Sequence, residues 1–249
     1  MKKNVFKMFL LVAFVTLISC GKDSDSIKPN ENGSTNSVKL IKSIKISGGQ
    51  EKLKDVVINY TYDTDNKIIK IANELDVSYQ NNKIGIEKLK ITATTNDKGN
   101  VTHLTRTESR DKNYEYQYNT ANQLIQETKK ANQGTIDTDE VYAYHWENEN
   151  LVIMGDKNDP SVRVEYGKDT NKNNFSLVLS RFSYHKMLFY LPFPMGKASK
   201  MLPVKAFSSE YSYHYEYTLD NEGYVTKIIE RYENTRSKEN YITTFEISY

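Results

Sequence analysis

From residue 38 onward, apolar and polar residues alternate with a period of two. Val56, Ile58, Tyr60 and Tyr62 fall on one face, and Val57, Asn59 and Thr61 on the other. The last residues behave alike, with Tyr241, Thr243, Phe245, Ile247 and Tyr249 set against Ile242, Thr244, Glu246 and Ser248. A period of two is the spacing of a β-strand, whose successive side chains point to opposite faces. One face is apolar-aromatic and the other mostly polar, which predicts a sheet with a single buried side. No long stretch carries the 3.6-residue period of an amphipathic helix.

The aromatic positions recur in a phrase. Tyr60-Thr61-Tyr62-Asp63 precedes Asp65-Asn66-Lys67-Ile68. Tyr114, Tyr116 and Tyr118 precede Asn119 and then Asn122-Gln123-Leu124. Tyr142, Tyr144 and Trp146 precede Asn148-Glu149-Asn150-Leu151, and Tyr211, Tyr213, Tyr215 and Tyr217 precede Asp220-Asn221-Glu222-Gly223-Tyr224-Val225. Each phrase is an aromatic strand, a polar turn and a β-branched or aliphatic strand, which is a β-hairpin. Residues 79–84 and 95–101 look like degenerate copies. A run of hairpins predicts an all-β fold: an antiparallel meander forming one curved sheet or a partly closed barrel.

The Tyr-x-Tyr-Asp pattern resembles YD-type repeats, as in Rhs-like proteins. Residues 38 to 249 as a whole resemble Bacteroidota lipoproteins of unknown function that carry such repeats, and Gly-Tyr-Val-Thr-Lys-Ile at 223–228 is the closest copy. The resemblance implies no catalytic residue. The spacing between turns varies, and the segment around 166–210 lacks the repeat, which favours one compact sheet or barrel over a long closed shell. Within that segment, Met187 to Gly196 is apolar and holds two prolines, which deny it a regular helix or a central strand. Its expected role is a lid over one end of the aromatic core, with a mobile lip over a pocket as the alternative.

The N-terminus supplies an address. Lys2, Lys3 and Lys7 precede the apolar run Met8 to Ile18, and Leu17-Ile18-Ser19-Cys20 resembles a bacterial lipobox, in which the chain is cut before a cysteine that is then lipidated. The apolar run is about half of the roughly 20 residues a membrane span requires. The expected organisation is a signal peptide at 1–19, an acylated Cys20 with a tether to residue 37, and a single β domain over 38–249. The tether is polar and cannot offset the entropy of folding. In it, Gly21 to Asp25 resembles the charged export signal of surface lipoproteins of Bacteroidota. Asp25-Ser26-Ile27 resembles an O-glycosylation motif of that phylum, with Ser26 as acceptor.

Loss of the leader removes three lysines and takes the formal charge from +2 to −1, so bulk electrostatics give no argument for nucleic acid. Cys20 is the sole cysteine, and once acylated it leaves no thiol for a disulfide, a zinc site or a nucleophile. Metal-protease, hydrolase-elbow, phosphate-loop and dinucleotide motifs are absent. His145 with Glu147, and His214 with Glu216, each share a strand face. If their strands were neighbours, the four would gather into a polar or metal-binding cluster; otherwise they are pairs on a wet face. Asp63 to Asn66 and Asp137 to Glu140 hint at calcium loops, but the first has Lys67 at an oxygen-ligand position and lacks the turn glycine, and turn chemistry suffices for both. Tyr213 and Tyr215, flanking His214, would form a sugar-stacking platform on an open face and core on a closed one.

These observations predict a lipid-anchored cell-envelope protein at the outer membrane, with a non-enzymatic binding or structural role and no cofactor or metal. The domain is expected to face the cell surface, with the periplasm as the alternative. Polysaccharide or another envelope protein is the candidate partner, alongside the membrane reached through the lipid. The rival functions are glycan capture by exposed tyrosines, and hydrolysis by a pair of scattered carboxylates.

Overall fold

The computed structural model describes residues 39–49, 53–107, 112–131, 138–156, 158, 160–173 and 193–249. Cys20, Ser26, Asp137 and residues 187–192 lie outside them. The described chain is all-β, as the alternation predicts. Its strands are β1 (Ser43–Gly48), β2 (Leu53–Tyr62), β3 (Ile68–Ile71), β4 (Leu75–Asp76), β5 (Ser78–Gln80), β6 (Lys83–Ile86), β7 (Ile91–Thr95), β8 (Val101–Arg106) and β9 (Lys112–Tyr118). They continue as β10 (Leu124–Lys129), β11 (Glu140–Glu147), β12 (Asn150–Gly155), β13 (Pro160–Thr170), β14 (Met201–Phe207), β15 (Tyr211–Leu219), β16 (Val225–Asn234) and β17 (Asn240–Ser248).

From β5 to β17 each strand pairs antiparallel with the next, as do β2, β3 and β4. The first strand turns this meander into a barrel: β1 lies between β17 and β2 and pairs with both. One seam stays unsealed, between β4 and β5, where the ladder to β3 ends as the ladder to β6 begins. The Val77 N–H, donated to the Ile69 carbonyl at 2.9 Å, is the last backbone bond of the ladder to β3.

Up-and-down topology places the turns after β2, β5, β7, β9, β11 and β15 at one end, here the turn end, together with the long β13–β14 connection. Four of these turns share one hydrogen-bond pattern. Asp63, Asn96, Asn119 and Asp220 each accept a backbone N–H four residues on through Oδ1, at 2.9–3.0 Å. The fourth residue of each turn is left-handed: Asn66 (φ 62°), Gly99 (80°), Asn122 (67°) and Gly223 (83°). Asn and Gly tolerate that conformation and Asx side chains nucleate such turns, so the recurring polar cluster is turn chemistry.

A register shift follows the turn in five hairpins, β2–β3, β7–β8, β9–β10, β11–β12 and β15–β16. Beside it, at the start of the returning strand, sits Ile68, Val101, Leu124, Leu151 or Val225, each almost wholly buried. A bulge interrupts the ladder and costs a backbone group its cross-strand partner, and an aromatic side chain from the following strand supplies one. The Tyr79 hydroxyl donates to the Ile68 carbonyl at 3.0 Å, and Tyr118 to Val101 at 2.7 Å. The Trp146 indole donates to Leu124 at 2.7 Å, and the hydroxyls of Tyr166 to Leu151 at 2.8 Å and Tyr249 to Val225 at 2.7 Å. Tyr62 to Ile41 and Tyr217 to Pro203, both at 2.7 Å, extend the set.

The described parts of the β13–β14 connection cap this end. Pro194 accepts the Val101 N–H (2.9 Å), Ser199 Oγ the Leu151 N–H (3.1 Å) and Asn173 Oδ1 the Val225 N–H (2.8 Å). Phe193 and Met195 are buried, so this portion of the apolar segment packs onto the core. Gly196 (φ 84°) runs so close to the neighbouring turn that a Cβ would lie 2.5 Å from the Asn122 carbonyl oxygen.

The inner face of the wall is mostly aliphatic and aromatic, and the outer face mixes charged residues with exposed apolar ones such as Val57 and Ile242. Ile44, Ile46, Ile58, Ile86, Leu104, Tyr116, Tyr144 and Phe245 point inward and are buried. Outward, cross-strand ion pairs recur: Lys45–Glu246 at 3.7 Å, Lys70–Asp76 at 3.4 Å and Arg231–Glu216 at 3.1 Å. Exposed pairs of this kind contribute little stability, but they fix which side of the wall meets water.

The staples predict that hydroxyl removal alone is felt. Tyr118→Phe and Tyr249→Phe are each expected to cost about 1–2 kcal/mol, since each leaves a strand-end carbonyl without its donor. Urea unfolding is the measurement, and midpoints indistinguishable from wild type for both variants would refute the staple role.

Candidate functional site

The interior is the first candidate, because two carboxylates lie in it. In the β9–β10 hairpin Tyr116 stands opposite Glu127, and in the β15–β16 hairpin Tyr215 stands opposite Glu230. Both glutamates are 0% exposed. Register shifts put them there: the bulges at the starts of β10 and β16 change the parity of the residues that follow. The Tyr144 hydroxyl donates to Glu127 Oε2 at 2.6 Å. Burial, reinforced by the Glu127 charge, holds the Tyr116 and Tyr144 hydroxyls well above the usual tyrosine range. Burial acts the same way on Tyr217, with Glu230 adding to it. The two glutamates are thus held among tyrosines inside the wall, with the Tyr144 hydroxyl as a donor to Glu127.

The residues singled out from sequence divide between the two faces. Tyr213 and Tyr215 point inward and are buried, their rings nearly parallel with centroids 6.5 Å apart. His214 and Glu216, between and beyond them on β15, lie on the outer face, where Glu216 pairs with Arg231 and His214 Nε2 lies 3.3 Å from Ser212 Oγ. His145 and Glu147 are on β11, with His145 Nε2 at 3.1 Å from the Gly155 carbonyl oxygen and Glu147 exposed. Three strands separate β11 from β15, about 19 Å along the sheet at ~4.8 Å per strand. The structure therefore does not gather the two His/Glu pairs into one cluster. Among the described residues, no group of three or more His, Cys, Asp or Glu side chains is arranged to hold a metal ion.

Two other clusters mark the ends of the barrel. Away from the turn end, the half-buried rings of Tyr211, Tyr232 and Tyr241 meet, with Tyr232 and Tyr241 stacked at 4.5 Å. At the turn end, Lys39 Nζ lies 2.8 Å from both Asp220 Oδ2 and Glu222 Oε1, and over the Tyr224 ring at 5.2 Å. Hydrogen bonds from Lys39 and the backbone hold the Asp220 carboxyl below its ordinary value. Sequence reasoning missed Glu127 and Glu230, because simple alternation does not register a bulge. It also missed Lys39, whose partners lie 181 and 183 residues away. The shared Asx turn ahead of each buried glutamate is the signal that would have located the bulges.

No protein-family model and no curated protein matches the chain. Among solved structures it is similar to a porin-like protein from Bacteroides uniformis, with a TM-score of 0.64 over 84% of this chain and 96% of that one. Identity is 19%, so the likeness is one of fold: a β-barrel.

Two predictions follow the aromatic chemistry. Alanine at Tyr60, Tyr116, Tyr144 or Tyr215 removes a buried ring and is expected to cost about 3–5 kcal/mol. A ligand platform predicts instead near-wild-type melting with lost binding, so thermal melts of the four variants decide between them. Alkaline stability is the second. Burial pushes the Tyr79, Tyr114 and Tyr249 hydroxyls up to about 12, against about 10 in an unfolded chain. A raised folded value means the contribution is whole below pH ~10 and is lost as pH climbs through ~12. Tyrosinate absorbance should rise together with unfolding in that window, and a simple titration near pH 10 with the fold intact would contradict it.

Proposed function

We propose that this protein is a lipid-anchored component of the bacterial outer membrane whose barrel has a non-enzymatic binding or structural role. The polarity of the wall carries the proposal. A barrel that crosses a membrane turns an apolar band outward, and a Lys or Arg on its lipid face costs about 2–4 kcal/mol at the midplane. Here Lys45, Lys70 and Arg231 point outward from three different strands, each beside an acidic partner. Bilayer insertion would desolvate all of them, so membrane attachment falls to Cys20. Among the described residues, the inward side chains at mid-strand, such as Ile44, Leu104, Tyr116, Tyr144 and Phe245, are buried, which argues against a water-filled channel for solute passage.

The fold shared with the porin-like protein supports an envelope setting, and the charged run Lys22 to Asp25 supports display on the cell surface. A second reading, capture of polysaccharide, draws on the half-buried Tyr211, Tyr232 and Tyr241 rings, since tyrosine offers a flat apolar face and a hydroxyl together.

Cys20→Ala is the decisive variant. Membrane fractionation should find it unprocessed or released, without palmitate label, and unchanged membrane retention would overturn the anchor. Purified wild type added to planar bilayers is expected to give no ionic current, and steady unitary conductance would overturn the sealed barrel.

A further inference from the structure

We propose that the barrel stands on the membrane with its turn end toward the lipid and the end that carries Tyr211, Tyr232 and Tyr241 away from it. The inference rests on the Cys20 anchor and adds an orientation to it. The described chain enters the fold at the turn end and is fixed there within four residues. Lys39 is gripped by Asp220 and Glu222, and its ammonium lies over the rings of Tyr224 at 5.2 Å and Tyr249 at 6.0 Å. The Lys42 N–H then donates to the Ser248 carbonyl at 2.8 Å, and the Lys42 carbonyl accepts the Tyr60 N–H at 2.9 Å. The latch joins the entry point to the β15–β16 turn and to the last residue of the chain, so the entry point cannot slide along the barrel.

The mechanics agree with this placement. β1 begins at the turn end and runs to the other, paired on both sides with β17 and β2. Tension from an anchor upstream of Lys39 acts along the axis of β1. It therefore loads both ladders in shear, many bonds at once, instead of opening them one by one. Cys20 precedes Lys39 by only 19 residues. Strands of 9–10 residues separate the two ends by about 30 Å, so the latched end stays the nearer one on average.

The test uses the full-length acylated protein in vesicles of phosphatidylethanolamine and phosphatidylglycerol carrying a rhodamine headgroup lipid. Because the sole native cysteine is the acylated Cys20, a donor dye can be placed at Ala121→Cys in a turn-end hairpin or at Ser209→Cys at the far end, both exposed positions. With the two sites about 30 Å apart along the strands, energy transfer to the lipid is expected to be at least about twofold greater from position 121. Equal or reversed transfer from vesicles that float with bound protein would overturn the orientation and leave the anchor standing. Failure of the acylated protein to float with the vesicles would overturn both.

Discussion

The structure depends on a hydrogen bond between hairpins: an aromatic donor on one strand and the carbonyl at the bulge of the strand before it. A bulge after each turn bends and twists the wall, which a closed sheet requires, but it also disrupts the ladder at a buried position. An unsatisfied buried carbonyl costs about 1–3 kcal/mol, and repeated five times that cost would rival the net stability of a typical domain. The Tyr79, Tyr118, Trp146, Tyr166 and Tyr249 donors meet it. Because each donor serves the strand before it, adjacent strands are locked in sequence around the wall, independently of the ladder.

The same device reconciles strand number with a filled interior. A round barrel of roughly 16–18 strands leaves an aqueous channel, and this sheet has 17 strands. Here many inward positions, among them Ile44, Leu104, Tyr116, Tyr144 and Phe245, are large side chains with little or no solvent exposure, and Glu127 and Glu230 are buried among them. This filled interior is built on a wall whose fold is shared with a porin-like protein. Fold likeness alone does not decide membrane insertion, which depends on which side chains the alternation sends outward.

Much of the fold was legible in sequence. The alternation around Tyr60 and around Phe245 gives the strands and their buried face, and the Asn/Asp/Gly clusters give the turns. Barrel closure was not legible, since it depends on β1 reaching both β2 and β17, a pairing across some two hundred residues that no local pattern encodes. Nor were the buried Glu127 and Glu230, because a bulge moves every later residue to the other face and local polarity then misleads. The tyrosine rows were legible as one face, but whether that face is open is a tertiary property. Tyr213 and Tyr215 lie inside the wall, while His214 and Glu216, a residue away, lie outside. The His145 and His214 pairs looked like partners only while their strands could be imagined as neighbours.

The choice of tyrosine then has a physical explanation. Phenylalanine fills the interior equally well, yet the chain holds 19 tyrosines and 9 phenylalanines. A strand-end aromatic here must bury a ring in the core and carry a donor at its far edge, long enough to reach the neighbouring strand's carbonyl. Tyrosine does both, and serine or threonine would reach too short a distance and bury too little. Trp146 shows that the requirement is for a donor on an aromatic ring and not for a phenol as such, since its indole N–H takes the same place in the pattern, at 2.7 Å from the Leu124 carbonyl oxygen. The repeat in the sequence is therefore the trace of a repeated hydrogen bond, and its regularity reflects how the barrel wall is held together.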